Sequence, residues 1–169
     1  VSSVEIRICE GSSLDLLDRW IPSNGRTSFH RRRFEQQVAG SGTYLVAWLD
    51  QRPVGHLLIL WTGCAADESR HWPVRCPELN ALGVWPPRQR RQGIGRALLG
   101  RAEAMVAERG YVAVGLGVAD DNPDAFRLYQ RLGYTTRVGR YVDRWTWVDH
   151  DGVERQEAEP CTFLAKSLT

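Results

Sequence analysis

Residues 5–9 alternate polar and apolar as Glu-Ile-Arg-Ile-Cys, which predicts a short strand, and Ser12 or Ser13 offers an N-cap for a helix running to Trp20. Residues 29–38 read as a second helix. After the break at Gly40, Ser41 and Gly42, residues 43–49 and 53–61 are apolar runs joined by Asp50, Gln51 and Arg52, the pattern of a hairpin. Residues 62–77 have no period and predict a long loop. Residues 79–85 are apolar again and stop at Pro86 and Pro87. Ile94, Ala97, Leu98, Ala102, Met105 and Val106 then follow helical spacing up to Gly110. Strand, turn and helix recur in residues 111–118, 120–123 and 125–132, with Gly133 as the stop. The remainder is strand-like, with a turn at residues 149–152 and a last apolar stretch at 161–164. The alternation predicts a mixed α/β fold in one domain spanning residues 1–169.

Composition narrows the classes of function. A formal net charge of +2 in 169 residues gives little long-range attraction to nucleic acid or anionic lipid. Lys166 is the only lysine among 22 basic residues, a bias that reads as a GC-rich, bacterial genome. Residues 31–33, three consecutive arginines, read as a solvated helix face. The first ten residues have neither a basic start nor an apolar core, and no run of 18 apolar residues exists, so the expectation is a cytoplasmic protein without membrane or nucleic-acid partners. Cys9, Cys64, Cys76 and Cys161 lack paired or metal-ligand spacing, so neither a metal site nor a cysteine nucleophile is expected.

Chemistry concentrates where an apolar strand meets a polar glycine loop and a strong helix. Arg90, Arg91, Gln92, Gly93, Ile94 and Gly95 open that helix, where unpaired backbone N–H groups, a positive helix end and nearby arginines suit a pyrophosphate. A Walker loop is excluded because this loop contains no lysine, and a dinucleotide fingerprint fails at Leu98. The loop pattern is weak by itself, glycine being common.

Support comes from Asn122, Ala125, Leu128, Tyr129, Leu132, Gly133 and Tyr134, about 30 residues after the loop. The two segments together, with the order of elements, resemble the GNAT superfamily of N-acetyltransferases. One extra proline, Pro86 or Pro87, departs from its pattern. The resemblance implies a mixed sheet that splays between its fourth and fifth strands and holds acetyl-CoA in the gap. It implies that Leu82 and Val84 pair with the pantetheine, that Arg90, Arg91, Gln92, Gly93, Ile94, Gly95 and Arg96 hold the pyrophosphate, and that Asn122 and Tyr129 line the far side near the thiol. It further implies direct transfer of acetyl to a primary amine.

Such transfer needs a base for the ammonium and a proton for the departing thiolate. Tyr129 reads as that acid or as a buried aromatic. Glu78 reads as the base, matching a position where some superfamily members carry glutamate, or as a solvated strand-end charge. His56 and His71 are the other candidate bases. Trp61, Asp67, Glu68, Trp72, Asp143, Trp145, Trp147 and Asp149 are candidates for an aromatic and acidic pocket receiving a small cationic amine such as a polyamine, aminoglycoside-like sugar or amino-acid amine. Alternatives are a protein or peptide acceptor, and a non-catalytic CoA-binding module. A homodimer through a C-terminal strand edge is a further expectation.

Overall fold

The structure is a computed structural model describing residues 3–169; the first two residues of the segment read for a leader lie outside it. Its strands are β1 (Glu5–Ile8), β2 (Gly42–Leu49), β3 (Arg52–Leu60), β4 (Glu78–Val84), β5 (Ala113–Ala119), β6 (Thr136–Val148) and β7 (Glu154–Ser167). Its helices are α1 (Leu14–Trp20), α2 (Phe29–Val38), α3 (Ile94–Glu108) and α4 (Pro123–Arg131). The strands form one sheet in the order β1-β2-β3-β4-β5-β7-β6. Every neighbouring pair is antiparallel except β4 and β5. That parallel pair has a single registered partnership, Glu78 with Gly115. Beyond it the two strands diverge toward their C-terminal ends, and the sheet splits into two halves.

Both sheet faces are covered, which is why β2 and β3 read as continuous apolar runs. On β2, Leu45 and Ala47 join the core under α3, while Tyr44, Val46 and Trp48 pack against α1 and its flanks. From α3, Ile94, Leu98, Leu99, Ala102 and Val106 are buried, the stripe expected from their spacing. Gly110, at φ 88°, follows the helix in the left-handed region. No helix among the described residues is long and apolar enough to cross a membrane.

Several local expectations need correction. Ser13 occupies the cap position of α1 without a side-chain capping bond, behind a short 3-10 turn. The stretch of residues 62–77 is the expected long loop, and within it stand a 3-10 turn, Asp67–His71, and Trp72 anchored against Tyr141 and Phe163. Of the three arginines of α2, Arg31 and Arg32 are exposed, as expected of a solvated face, and Arg33 is half-buried; each nevertheless has protein partners. Arg31 pairs with Asp15 and Asp18, Arg32 donates to the Thr146 carbonyl, and Arg33 donates to Tyr44 Oη at 3.0 Å. The last strand is far longer than its apolar part, because residues 154–159 pair only with β6 and, Glu159 apart, are exposed.

On β5, Gly115 and Gly117 leave the face opposite α3 bare, so that Phe163 and Tyr141 lie across the backbone; a Cβ at Gly117 would overlap Tyr141 Oη. Gly117→Ala is therefore expected to cost about 1–3 kcal/mol, a fall of roughly 2–12 °C in Tm. Gly100 sits on the exposed side of α3 with open space around its missing Cβ. Gly100→Ala should raise stability by about 0.4–1 kcal/mol. Calorimetry of the two variants checks both signs, and equal Tm values would contradict the packing described.

Candidate active site

The gap between the diverging strands is walled on one side by β4, which after Glu78 has no registered partner toward β5. Against β3, residues Ala81 and Leu82 together oppose Leu57, between the pairs Leu58–Asn80 and His56–Gly83. This is a β-bulge, and Ala81 takes the left-handed conformation at φ 55°. A non-glycine residue held there costs on the order of 1–2 kcal/mol. The Ala81 carbonyl is turned to accept from His56 Nδ1 at 2.7 Å.

At the open end lies a groove of about 850 Å³ lined by Leu82, Gly83, Val84, Arg90, Arg91, Gly93, Gly95, Arg96, Leu99, Asn122, Leu128 and Leu132. Arg91 (φ 63°) and Gly93 (φ 83°) are both left-handed and turn the chain into α3. The first intrahelical bond runs from Ala97 N to Gly93 O at 2.9 Å, so the N–H groups of Ile94, Gly95 and Arg96 have no acceptor within the helix. Gly93 lines the groove, and a Cβ there would meet nothing within 4 Å. Free N–H groups, three arginines and an apolar wall of leucines match the parts of acetyl-CoA: phosphates at one end, pantetheine along the other.

Two loop residues sit differently from their sequence reading. Gln92 directs its side chain into its own loop, donating to the Arg88 carbonyl at 3.1 Å, and Ile94 is buried in the core under α3. Neither lines the groove. Asn122 lines the groove while its Oδ1 caps α4, accepting from Ala125 N at 3.1 Å. Pro87 opens a 3-10 turn, Pro87–Gln89, before the loop, and β4 keeps Glu78 as its first residue.

A second cleft, of about 270 Å³, shares Leu82 and Leu99 with the groove and contains Glu78, Tyr129, Tyr141, Asp143 and Glu159. Glu78 is only 4% exposed, which removes its reading as a solvated strand-end charge. Burial pushes its carboxyl up to about 7, the neighbouring Asp143 adds to this, and a hydrogen bond with Asn80 opposes it. Tyr129 faces the same cleft from α4, its ring edge-on to Tyr134. Burial raises its phenol above the ordinary value, so it holds its proton more tightly.

A third cleft, of about 470 Å³, shares Glu78, Asn80, Tyr141 and Asp143 with the second and opens past Asp67, Glu68 and Arg144. Of the pocket candidates, Asp67, Glu68 and Asp143 meet there. The tryptophans do not: Trp61 stacks with Tyr111 and Arg109, Trp72 is part of the core, and Trp147 donates to Glu157. Asp149 closes the turn of the β6–β7 hairpin, accepting from Asp151 N and Val153 N and pairing with Arg155. His71 lies on the exposed 3-10 turn, lining none of the three clefts. His56 is half-buried behind β4, with desolvation of its ring and the nearby Arg33 lowering its pKa to about 3. Tyr141 and Glu159 were not singled out from sequence, since both lie in strands that carry no motif.

The sequence profile of the Acetyltransferase (GNAT) family matches residues 13–134. No curated protein matches the chain. Among solved structures, the ribosomal-protein-S18-alanine N-acetyltransferase of Escherichia coli is 18% identical with a TM-score of 0.66, over 99% of this chain and 95% of the other. An IAA acetyltransferase of Bacillus cereus is 19% identical with a TM-score of 0.61, over 98% and 100%. A GNAT family acetyltransferase of Elizabethkingia anophelis, solved with acetyl-CoA bound, is 17% identical with a TM-score of 0.60, over 98% of each chain. The splayed sheet, the glycine loop at its mouth and the profile match across both signature segments establish the chain as a member of the GNAT family of acetyltransferases.

Proposed function

We propose that the protein transfers acetyl from acetyl-CoA to a primary amine of a small cationic molecule. The observation that carries this reading is continuity: the basic groove leads into the cleft of Glu78 and Tyr129, which leads into an acidic outer cleft. Acetyl-CoA, when bound, supplies an activated thioester. The arginines and free N–H groups at the start of α3 hold its phosphates, and the backbone groups of Leu82 and Val84 orient its pantetheine arm. Asp67, Glu68 and Asp143 draw the ammonium of the acceptor, and Glu78, poised near neutrality, takes its proton so that the nitrogen lone pair can attack. Tyr129, with its raised pKa, does not release a proton in advance; its hydroxyl donates a hydrogen bond that passes the proton as the carbon–sulfur bond breaks.

A small acceptor is favoured by the roof of the outer cleft. Beyond Val142 and Pro160, β6 and β7 leave the sheet as a two-stranded ribbon that reaches the loop between α1 and α2. Arg26 N donates to the Val148 carbonyl at 2.7 Å, Val148 N donates to Thr27 Oγ1 at 2.8 Å, and Arg26 Nε donates to the His150 carbonyl at 3.1 Å. The ribbon carries Asp143 and ties the two sheet halves together, which suits a bounded pocket. A second reading, acetylation of a peptide N-terminus, is favoured by fold neighbours named as ribosomal-protein-alanine N-acetyltransferases.

Thermal denaturation with acetyl-CoA, ADP and NAD tests the donor. At 100 times its Kd the right ligand adds about 2.7 kcal/mol, a rise of roughly 5–11 °C. Acetyl-CoA should give that rise, NAD none, and no response to acetyl-CoA would refute the reading. Thiol release with an α,ω-diamine against a peptide beginning in alanine then separates the acceptors: diamine turnover is expected, and peptide turnover alone would install the second reading. Tyr129→Phe should keep acetyl-CoA affinity and slow turnover by about 10²-fold.

Glu78 adds a pH signature. Its folded pKa lies above the unfolded carboxylate value, so the native state holds the proton longer. Its contribution to stability is full below about pH 4.3 and is lost as pH rises through about 7. Unfolding of the protein and of Glu78→Gln across pH 4–8 should show this fall in the parent alone, while turnover of the parent rises over the same window. Parallel stability profiles would contradict the assignment.

A further inference from the structure

We propose that His56, which no part of the reading above uses, is a positioning residue for the thioester end of acetyl-CoA: it holds the β4 bulge in the one conformation that presents Leu82 to the groove. The proposal rests on the donor reading just given. It begins with the bulge itself, where Ala81, an L-residue without the freedom of glycine, sits at φ 55°. Such a conformation persists only where the surroundings fix it. The nearest fixing contact is the 2.7 Å bond between the Ala81 carbonyl and His56 Nδ1.

The role of each ring nitrogen follows from its neighbours. A carbonyl only accepts, so Nδ1 carries the proton and donates. The Arg33 guanidinium, 3.5 Å from the same nitrogen, also only donates; it therefore cannot be the partner of a protonated Nδ1 and instead donates to Tyr44 Oη at 3.0 Å. Tyr44 in turn donates to His30 Nδ1 at 2.6 Å, because His30 Nε2 donates to the Ile21 carbonyl at 2.6 Å. The chain of donors is thereby complete, and it keeps His56 neutral between a cation and a second imidazole. The other edge of the ring lies against Gly83, where a Cβ would come within 2.6 Å of Cε1 and 2.7 Å of Nε2. Gly83 lines the groove together with Leu82. A single imidazole thus grips the bulge carbonyl at one side and abuts the next groove residue but one at the other.

The control point lies beside Leu82 and away from the arginine loop, so its loss should be felt by the pantetheine arm and not by the phosphates. His56→Leu removes the donor; His56→Asn places an amide N–H close to where Nδ1 stood. Titration calorimetry of each variant with acetyl-CoA and with ADP, the latter reaching only the phosphate end, gives the readout. His56→Leu should weaken acetyl-CoA at least tenfold and ADP less than twofold, and His56→Asn should recover most of the difference. Equal loss on both ligands, no loss, or asparagine behaving like leucine would overturn the proposal. If His56→Leu does not fold, Gly83→Ala, which displaces the ring from its other edge, should give the same selective loss. In the unmodified protein, nitrogen-15 NMR of the histidines should find His56 neutral and protonated on Nδ1 at pH 6; protonation on Nε2 would also overturn it. A parent protein that binds neither ligand would instead refute the donor reading on which the proposal stands.

Discussion

The parallel contact between β4 and β5 ends after one pair, Glu78 with Gly115, and the rest of the site is arranged around that divergence. A strand edge deep in a sheet leaves N–H and C=O groups without a ladder, and such groups need partners from somewhere. Along residues 79–84 the free side of β4 faces the groove, so a ligand with an extended amide-bearing arm can supply what β5 does not. The same divergence explains the ribbon of β6 and β7. With the sheet in two halves, the hydrogen bonds between Arg26, Thr27 and Arg32 on one side and residues 146–150 on the other tie the open end across its mouth.

The buried polar groups divide into those satisfied within the fold and one that opens on the clefts. Among the described residues His30, Thr43 and Glu78 are the buried polar side chains. His30 uses both ring nitrogens, and Thr43 accepts from Trp61 Nε1 at 2.9 Å. Glu78 differs, because it stands at the apex of the split with two clefts opening on it. Desolvation that would be a defect elsewhere gives it a proton affinity matched to neutral pH.

Much of this was legible in the residues. The stripe from Ile94 to Val106, the glycines at 93, 95 and 133 and the cap at Asn122 dictate local structure through periodicity and backbone freedom, so the helices and the groove loop could be read directly. The two signature segments line opposite sides of one groove because each side is built from a short stretch of chain. The acceptor side was not legible in the same way. Tyr141 and Glu159 reach the cleft through the pairing of β6 with β7, a register that depends on contacts between distant segments. Residues 154–158 of β7, Glu-Arg-Gln-Glu-Ala, carry no apolar alternation, since both faces meet solvent there. Tryptophans suggested a pocket by type, yet packing assigned them to the core and to strand edges. His56 looked like a candidate base, and only the bulge at Ala81 shows what its proton does.

On the proposed reading, acetyl-CoA completes the free edge of β4. Amide hydrogen exchange with and without acetyl-CoA tests it most directly. The account predicts slowed exchange at Leu82 and Val84 and at the start of α3, from Ile94 to Arg96, with β1 and β2 unchanged. Binding that leaves the β4 amides exchanging at their free rate would contradict it.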